Sequence, residues 1–108
     1  MPQDEIPPGT LVLLILRVLQ SGPLHGYAIA RRIHQLSSEV LRVEEGSLYP
    51  ALQRMLREGW VTAEWGVSDT NRRVRLYRLT ASGKKELQAQ AVGYDRVSHA
   101  IQTVLRTA

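Results

Sequence analysis

The chain has 108 residues, of which 44% are hydrophobic, a net charge of +4 and no cysteine. This length fits one small domain with a modest core, which a second subunit would help to bury. The lack of cysteine excludes disulfides and thiolate metal sites, and no N-terminal stretch resembles a secretory signal, so a cytoplasmic protein is expected. The longest apolar run, LVLLIL, is far below the roughly 18 residues of a membrane span.

The positive charge is concentrated in the middle of the chain. Residues 1–45 contain four basic and five acidic residues, residues 46–85 contain eight and three, and residues 86–108 contain two of each. If a polyanion binds, it is therefore expected at the middle segment. Charge alone does not separate this interpretation from an ordinary arginine-rich surface strand.

Two helices are predicted in the first third of the chain. Residues 1–8 are polar, contain three prolines and are expected to form a flexible arm. The first helix is predicted over residues 10–20, where a Ser-Gly-Pro sequence stops it. The second is predicted over residues 26–36, with an inward face formed by Ile29, Ile33 and Leu36.

The third helix lies in EEGSLYPALQRMLREGW, residues 44–60. Its inward stripe is predicted to be Leu48, Leu52, Met55 and Leu56. The outward residues are Ser47, Tyr49, Pro50, Gln53, Arg54 and Arg57. Proline costs little in the first turn of a helix, and Gly46 or Ser47 can serve as the N-cap. The free N–H groups of this turn, beside a hydroxyl and a phenol, suit contact with phosphate or base edges. By itself, the pattern also allows Tyr49 to pack on a neighbour and Pro50 merely to start the helix.

A two-stranded hairpin is predicted next. WVTAEWG (60–66) and RVRLYRLT (73–80) are rich in β-branched and aromatic residues and are separated by a turn-forming stretch. Trp60 and Trp65 are expected in the hairpin core, although an aromatic near a dimer cleft could stack on a planar effector. A basic hairpin can lie along a phosphate backbone or enter the minor groove. The basic tip is formed by Asn71, Arg72, Arg73 and Arg75.

A long C-terminal helix is predicted over residues 81–106, with Thr80 as its N-cap. One small domain cannot cover its apolar stripe, so residues 81–108 are expected to pack against a second copy, together with the first helix. The alternative is that the helix folds back on its own core. The stripe recurs at steps of three and four and consists of Leu87, Ala91, Tyr94, Val97, Ile101 and Val104.

Together these elements predict a mainly α (α+β) fold, a winged helix-turn-helix over residues 9–80 followed by a dimerisation helix. Three stretches, GTLVLLILRVLQSGPLHGYAIARRI, GSLYPALQRMLREGWV and RRVRLYRLTASGKKEL, resemble the PadR family of bacterial transcriptional regulators. The resemblance covers residues 9 to about 87. It implies a homodimeric repressor on a two-fold-symmetric DNA operator, with the recognition helix in the major groove and the wing on adjacent backbone or minor groove.

The resemblance also assigns residues by position. Ser47, Leu48, Tyr49 and Pro50 match the recognition-helix motif of the family, and Arg72 and Arg73 match its basic wing. The single C-terminal helix is similar to the short branch of the family, which dimerises through this region. Some members respond to phenolic acids or planar lipophilic drugs, so an effector of unknown identity is possible.

Glu44 and Glu45 depart from the family pattern just ahead of the recognition helix. Two carboxylates there favour the helix dipole but repel a close phosphate, so the DNA backbone is expected on the side of Ser47 and Arg54.

No catalytic or metal chemistry is predicted. His25, His34 and His99 lack carboxylate or thiolate partners at ligand spacing, and no phosphate-binding glycine loop or Ser/His/Asp arrangement is present. His25 is expected to begin the second helix. The competing prediction is a winged helix that binds other proteins and never touches DNA; the local charge and the polar outer face of the third helix argue against it.

Overall fold

A computed structural model describes residues 4–7 and 9–108, and its elements follow the predicted order. The helices are α1 (Leu11–Leu19), α2 (Gly26–Leu36), α3 (Glu45–Arg57) and α4 (Ala81–Thr107). The strands are β1 (Asp4–Glu5), β2 (Leu24–His25), β3 (Leu41–Arg42), β4 (Val61–Val67) and β5 (Arg73–Leu79). In the described part of the chain, no helix combines the length and the apolar character needed to cross a bilayer.

One apolar core joins α1, α2 and α3 to the base of the hairpin and the start of α4. The inward stripe predicted for α3 lies in or against this core, and so do Ile29 and Ile33 of α2. Leu36 was predicted inward but is 61% exposed, because α2 ends at this residue and the chain turns at Ser38 and Glu39, both with positive φ. The fully or almost fully buried residues are Ile15, Leu16, Val18, Leu19, Ile29, Ile33, Leu48, Leu52, Met55, Trp60, Val61, Tyr77 and Leu87.

The hairpin belongs to a three-stranded sheet with the order β2-β5-β4. β4 and β5 pair antiparallel along their whole length, and β2 pairs antiparallel with β5 at Tyr77 and Leu76. β2 was not predicted, since two residues between a proline and a helix show no alternating pattern. Its pairing fixes the start of α2 beside the hairpin.

The described part of the N-terminal arm is paired. Asp4 and Glu5 lie parallel to Leu41 and Arg42, and the Asp4 N–H donates to the Val40 carbonyl at 2.8 Å. These two residues therefore differ from the flexible arm expected for residues 1–8. Residues 1–3 and 8 lie outside the described part of the chain.

α4 begins inside the domain and then leaves it. The Thr80 hydroxyl accepts from the Gly83 N–H at 3.0 Å and donates to the Gly59 carbonyl at 2.7 Å, which confirms the predicted N-cap. The carbonyl of Trp60 approaches Gly83 so closely that no side chain fits there. Leu87, predicted to lie in the dimer stripe, is instead 6% exposed within its own core, because the first turns of α4 pack beside α1.

Candidate nucleic-acid interface

A groove of about 920 Å³ lies between the start of α2, the helix α3 and the hairpin β4–β5, which we call the wing. Tyr49 and Gln53 of α3 line one side, and Arg72, Arg73 and Arg75 of the wing line another. The fold therefore brings part of the predicted recognition helix and most of the predicted basic tip to one concave surface.

Four of the six outward residues of α3 are divided between two surfaces, and Ser47 and Arg57 line neither. All six predicted outward side chains are exposed, which confirms the predicted face. Tyr49 and Gln53 line the groove, whereas Pro50 and Arg54 line a separate cleft of about 640 Å³ formed with α1 and α4. The Arg54 guanidinium carbon lies 5.5 Å from the centre of the Trp60 ring. Arg54 is thus directed away from the wing arginines.

Leu48 does not belong to the exposed surface of α3. It was assigned to the recognition motif by position, but its side chain is only 2% exposed. It packs in the core with Leu52 and Met55, which follow it on the same helix face by about one and two turns. Leu48 therefore anchors the helix, and its assignment as a DNA contact is wrong.

α3 begins earlier than predicted. Glu44 is the N-cap residue, and its carbonyl accepts from the N–H groups of Ser47 and Leu48 at 3.0 and 2.9 Å. The predicted cap at Gly46 or Ser47 is therefore wrong, and Pro50 falls in the second turn, where its missing N–H removes one helical hydrogen bond. Arg42 pairs with Glu44 at 2.9 Å, which offsets part of the negative charge at this end of the helix.

Tyr49 lies at the junction of α2 and α3. Its ring packs against Gly26, where an added Cβ would lie 2.9 Å from the phenol oxygen and 3.1 Å from Cε1. The side chain is still 46% exposed. Tyr49 therefore does both things that the sequence allowed: it packs on a neighbouring helix and presents surface to the groove.

The α2 side of the groove is lined by residues that the sequence did not predict to belong to the binding surface. His25 caps α2 by accepting from the Ala28 N–H at 3.4 Å, which confirms that it begins this helix. Its ring is stacked with that of Tyr27 at 6.3 Å, and the Arg31 guanidinium lies 6.0 Å from the Tyr27 ring centre. The available signal was the spacing of Tyr27 and Arg31 by four residues, which places them together on one helix face.

The wing tip is a compact turn. The Ser68 N–H donates to the Arg72 carbonyl at 2.8 Å, and Asn71 has φ 62°, a left-handed conformation that asparagine tolerates. Trp65 is 60% exposed whereas Trp60 is 9% exposed. The predicted core position is therefore confirmed for Trp60 and wrong for Trp65.

The exposed part of the C-terminal stripe lies beyond Leu87. Tyr94, Val97, Ile101 and Val104 are each at least half exposed in the single chain. No group of three potential metal ligands occurs among residues 4–7 and 9–108.

Three core helices, a β wing and a groove between the third helix and the wing define a winged helix-turn-helix protein, here extended by a long C-terminal helix. Residues 15–89 match the model of the Transcriptional regulator PadR-like family, and the chain belongs to that family. The resemblance drawn from the three sequence stretches is thereby confirmed.

Individual relatives agree in sequence and in fold. The chain is 26% identical over 88 residues to the negative transcriptional regulator PadR of Bacillus subtilis (strain 168), covering 82% of this chain and 48% of the relative. It thus spans about half the length of that relative. A transcriptional regulator from Clostridium thermocellum superposes with a TM-score of 0.80 at 26% identity, over 88% of this chain and 92% of the other. Bacillus subtilis PadR in complex with operator DNA gives a TM-score of 0.67 at 29% identity, over 77% and 48%.

Proposed function

We propose that this chain binds double-stranded DNA as a homodimeric transcriptional repressor. The observation that carries the proposal is the single groove that joins Tyr49 and Gln53 of α3 to Arg72, Arg73 and Arg75 of the wing. The polar side chains of α3 suit a helix that lies in the major groove of DNA. The cationic wing beside it suits a hairpin that lies on the adjacent phosphate backbone. The relative solved with operator DNA is similar in fold over 77% of this chain.

The charge of the groove supports a polyanionic ligand. Four arginines line it, namely Arg31, Arg72, Arg73 and Arg75, against one acidic residue, Asp69. Arginine guanidinium groups can donate two parallel hydrogen bonds to a phosphate, and their affinity contribution depends on salt through the release of counterions. The groove therefore favours the phosphate backbone of DNA over a neutral partner.

The residues of the groove divide into two roles. Tyr49 and Gln53 project from a helix and are assigned to base edges, while the wing arginines are assigned to phosphates. Five further predicted contacts do not line the groove, and we assign them to its periphery: Ser47, Pro50, Arg54, Arg57 and Asn71. In this proposal the DNA backbone runs on the wing side of α3, because Arg54 faces Trp60 and the α1–α4 cleft. The sequence alone favoured the side of Ser47 and Arg54.

The homodimer is proposed from the exposed stripe on α4. Four large apolar side chains in a row on one helix face form a contiguous patch, which usually marks an interface between proteins. A two-fold dimer would also present two copies of α3 to a two-fold-symmetric operator. The stripe in this proposal comprises Ala91, Tyr94, Val97, Ile101 and Val104, without Leu87.

A small-molecule effector remains a prediction. Tyr94 and Val97 of α4 line the α1–α4 cleft together with Pro50 and Arg54 of α3. A ligand in this cleft would therefore touch both the recognition helix and the dimerisation helix.

The test is fluorescence anisotropy at two salt concentrations, with a duplex from upstream of the protein's own coding sequence and a scrambled duplex of equal length. Tight binding to the upstream duplex, at one dimer per duplex and falling steeply with salt, is the expected result. Equal binding to both duplexes at every salt concentration contradicts sequence-specific repression at that site.

A protein-binding winged helix is the second candidate, and the exposed rings of Tyr27 and Trp65 beside the groove favour it, since aromatic residues are frequent anchors of protein interfaces. Retention of a partner protein that is insensitive to competing duplex DNA would support this candidate. Displacement of the partner by duplex DNA would favour the proposed function.

A further inference from the structure

Trp65 is an exposed aromatic residue in the middle of the wing. Its side chain is 60% exposed, whereas Tyr77, on the same face of the hairpin nearer the base, is 3% exposed. This face is covered by the core at the base of the wing and becomes free toward the tip. Burial of Trp65 therefore contributes little to the stability of the fold.

Two guanidinium groups lie over the Trp65 ring. Arg75 is directly opposite Trp65 in the β4–β5 pairing, and Arg73 is the diagonal neighbour on the same face. The guanidinium carbons of Arg73 and Arg75 lie 4.3 and 5.9 Å from the ring centre. A cation within about 6 Å of an aromatic centre is attracted to the ring face, so the indole restricts the positions of both arginines.

The ring orients these arginines without neutralising them. Two other arginines of the described chain are paired with carboxylates, Arg78 with Glu64 at 3.2 Å and Arg42 with Glu44 at 2.9 Å. Among the described residues, Arg73 and Arg75 have no carboxylate within ion-pair distance. Stacking leaves the in-plane N–H donors of a guanidinium free for a second partner.

We propose that Trp65 is a positioning residue of the wing. It holds Arg73, and at longer distance Arg75, against its ring so that both guanidinium groups meet the same stretch of phosphate backbone. The inference rests on the proposed DNA-binding function and adds to it a residue that touches the arginines and acts through them. Because the contact is with the backbone, it contributes to affinity for any duplex sequence.

The test uses a random-sequence DNA duplex at low salt, so that no operator needs to be known. Affinities are measured for the wild type, Trp65→Ala, Trp65→Leu, Trp65→Phe and Val67→Ala. Trp65→Ala and Trp65→Leu are expected to weaken binding by about 2- to 5-fold, the equivalent of one exposed cation–π contact. Trp65→Phe keeps a ring face and is expected to bind nearly as the wild type does.

Val67→Ala is the matched control, since Val67 lies on the same face, is 63% exposed and has no ring to stack on a guanidinium. It is expected to leave affinity unchanged. The thermal unfolding midpoint of each variant, followed by circular dichroism, separates a loss of positioning from a loss of fold. A Trp65→Leu variant that binds as tightly as the wild type would overturn the inference.

A double-mutant cycle with Arg73→Ala isolates the contact. If Trp65 acts mainly through Arg73, Trp65→Ala has a much smaller effect in the Arg73→Ala background than in the wild type. Fully additive effects overturn the positioning role while leaving the proposed function intact. No salt-dependent binding of the wild type to any duplex overturns the proposed function itself, and the inference with it.

Discussion

The ring of Tyr49 on α3 packs against Gly26, the first residue of α2, at a distance that leaves no room for a methyl group. The contact joins the two helices of the helix-turn-helix at the surface that faces the wing. Gly26 lies in the stretch HGY (residues 25–27) and Tyr49 in LYPAL (residues 48–52), so the glycine of one stretch accommodates the tyrosine of the other. The orientation of Tyr49 in the groove is thus set by a residue of another helix.

Gly26→Ala is therefore expected to reduce DNA discrimination more than stability. The new Cβ would lie 2.9 Å from the phenol oxygen of Tyr49, and the half-exposed ring can move outward, so the free energy of unfolding should change by no more than about 1 kcal/mol. The ratio of operator to scrambled affinity is measured by anisotropy. Tyr49→Phe removes the closest atom, so the added alanine should cost less in a Tyr49→Phe background; an equal cost in both backgrounds contradicts the contact.

Gln53→Ala and Arg73→Ala are expected to affect binding in different ways. Gln53→Ala should lower discrimination between operator and scrambled duplex by about 1–3 kcal/mol, whereas Arg73→Ala should weaken both about equally and flatten the salt slope by about one unit. The measurement is affinity for both duplexes over a salt series. A salt slope unchanged by Arg73→Ala excludes this arginine as a backbone contact.

Ile101→Asp is expected to dissociate the proposed dimer. Ile101 is 55% exposed in the single chain, so a charge there is harmless to the monomer but would be buried without a partner in an interface, at a cost of about 3–5 kcal/mol. Sedimentation equilibrium gives the dissociation constant. Gln102→Asp, which adds the same charge on a neighbouring face of α4, is the control and should leave the dimer intact; a dimer that survives Ile101→Asp places the interface elsewhere.

Thr80→Ala is expected to destabilise the fold by about 1–2 kcal/mol. The hydroxyl accepts from the Gly83 N–H and donates to the Gly59 carbonyl, so its loss leaves two backbone groups without their partner. Urea unfolding measures the change. Thr80→Ser retains both hydrogen bonds and should recover most of the loss, whereas similar midpoints for the serine and alanine variants would show that the hydroxyl contributes little.

Glu39→Gly is expected to stabilise the protein by up to about 1 kcal/mol. Glu39 has φ 66° directly after Ser38 with φ 55°, a region where a side chain is strained and glycine is not. The urea midpoint is again the measurement. Glu58→Gly supplies the comparison, because Glu58 has φ −77° and glycine there brings only a more flexible unfolded chain; a lower midpoint for both variants contradicts relief of strain.

Helical periodicity and the family motifs were sufficient to predict the helices, the hairpin and the groove-facing residues Tyr49 and Gln53. They failed where backbone geometry or long-range packing decides. β1 and β2 are held by backbone hydrogen bonds that leave no trace in the side-chain pattern. The α3 cap was misplaced because Glu44 serves through its backbone conformation, without a side-chain cap hydrogen bond.

The individual site residues show the same limit. The helical spacing predicted that Leu48 faces inward, whereas its position in the family motif predicted a DNA contact. Only the structure shows that the side chain is buried. Arg54 shares the outward face of α3 with Gln53 but lies beside α4. Consecutive residues of an α-helix differ in direction by about 100°, so Arg54 projects to a different side of α3 than Gln53 does. Trp65 was predicted to be core because the sequence does not reveal where the core ends along the wing.

α4 runs without a break for 27 residues, roughly 40 Å at 1.5 Å per residue, and is fastened to its domain at Thr80, Gly83 and Leu87. In a dimer formed through the exposed stripe of α4, two quantities set the separation and angle of the two α3 helices. They are the distance along α4 from Leu87 to the stripe and the side of α4 on which the stripe lies. One residue inserted between Leu87 and Ala91 would turn the stripe by about 100° and swing the partner domain with it. In the proposed DNA-bound dimer, the length and phase of α4 would therefore set the spacing of the operator half-sites that the two α3 helices can reach.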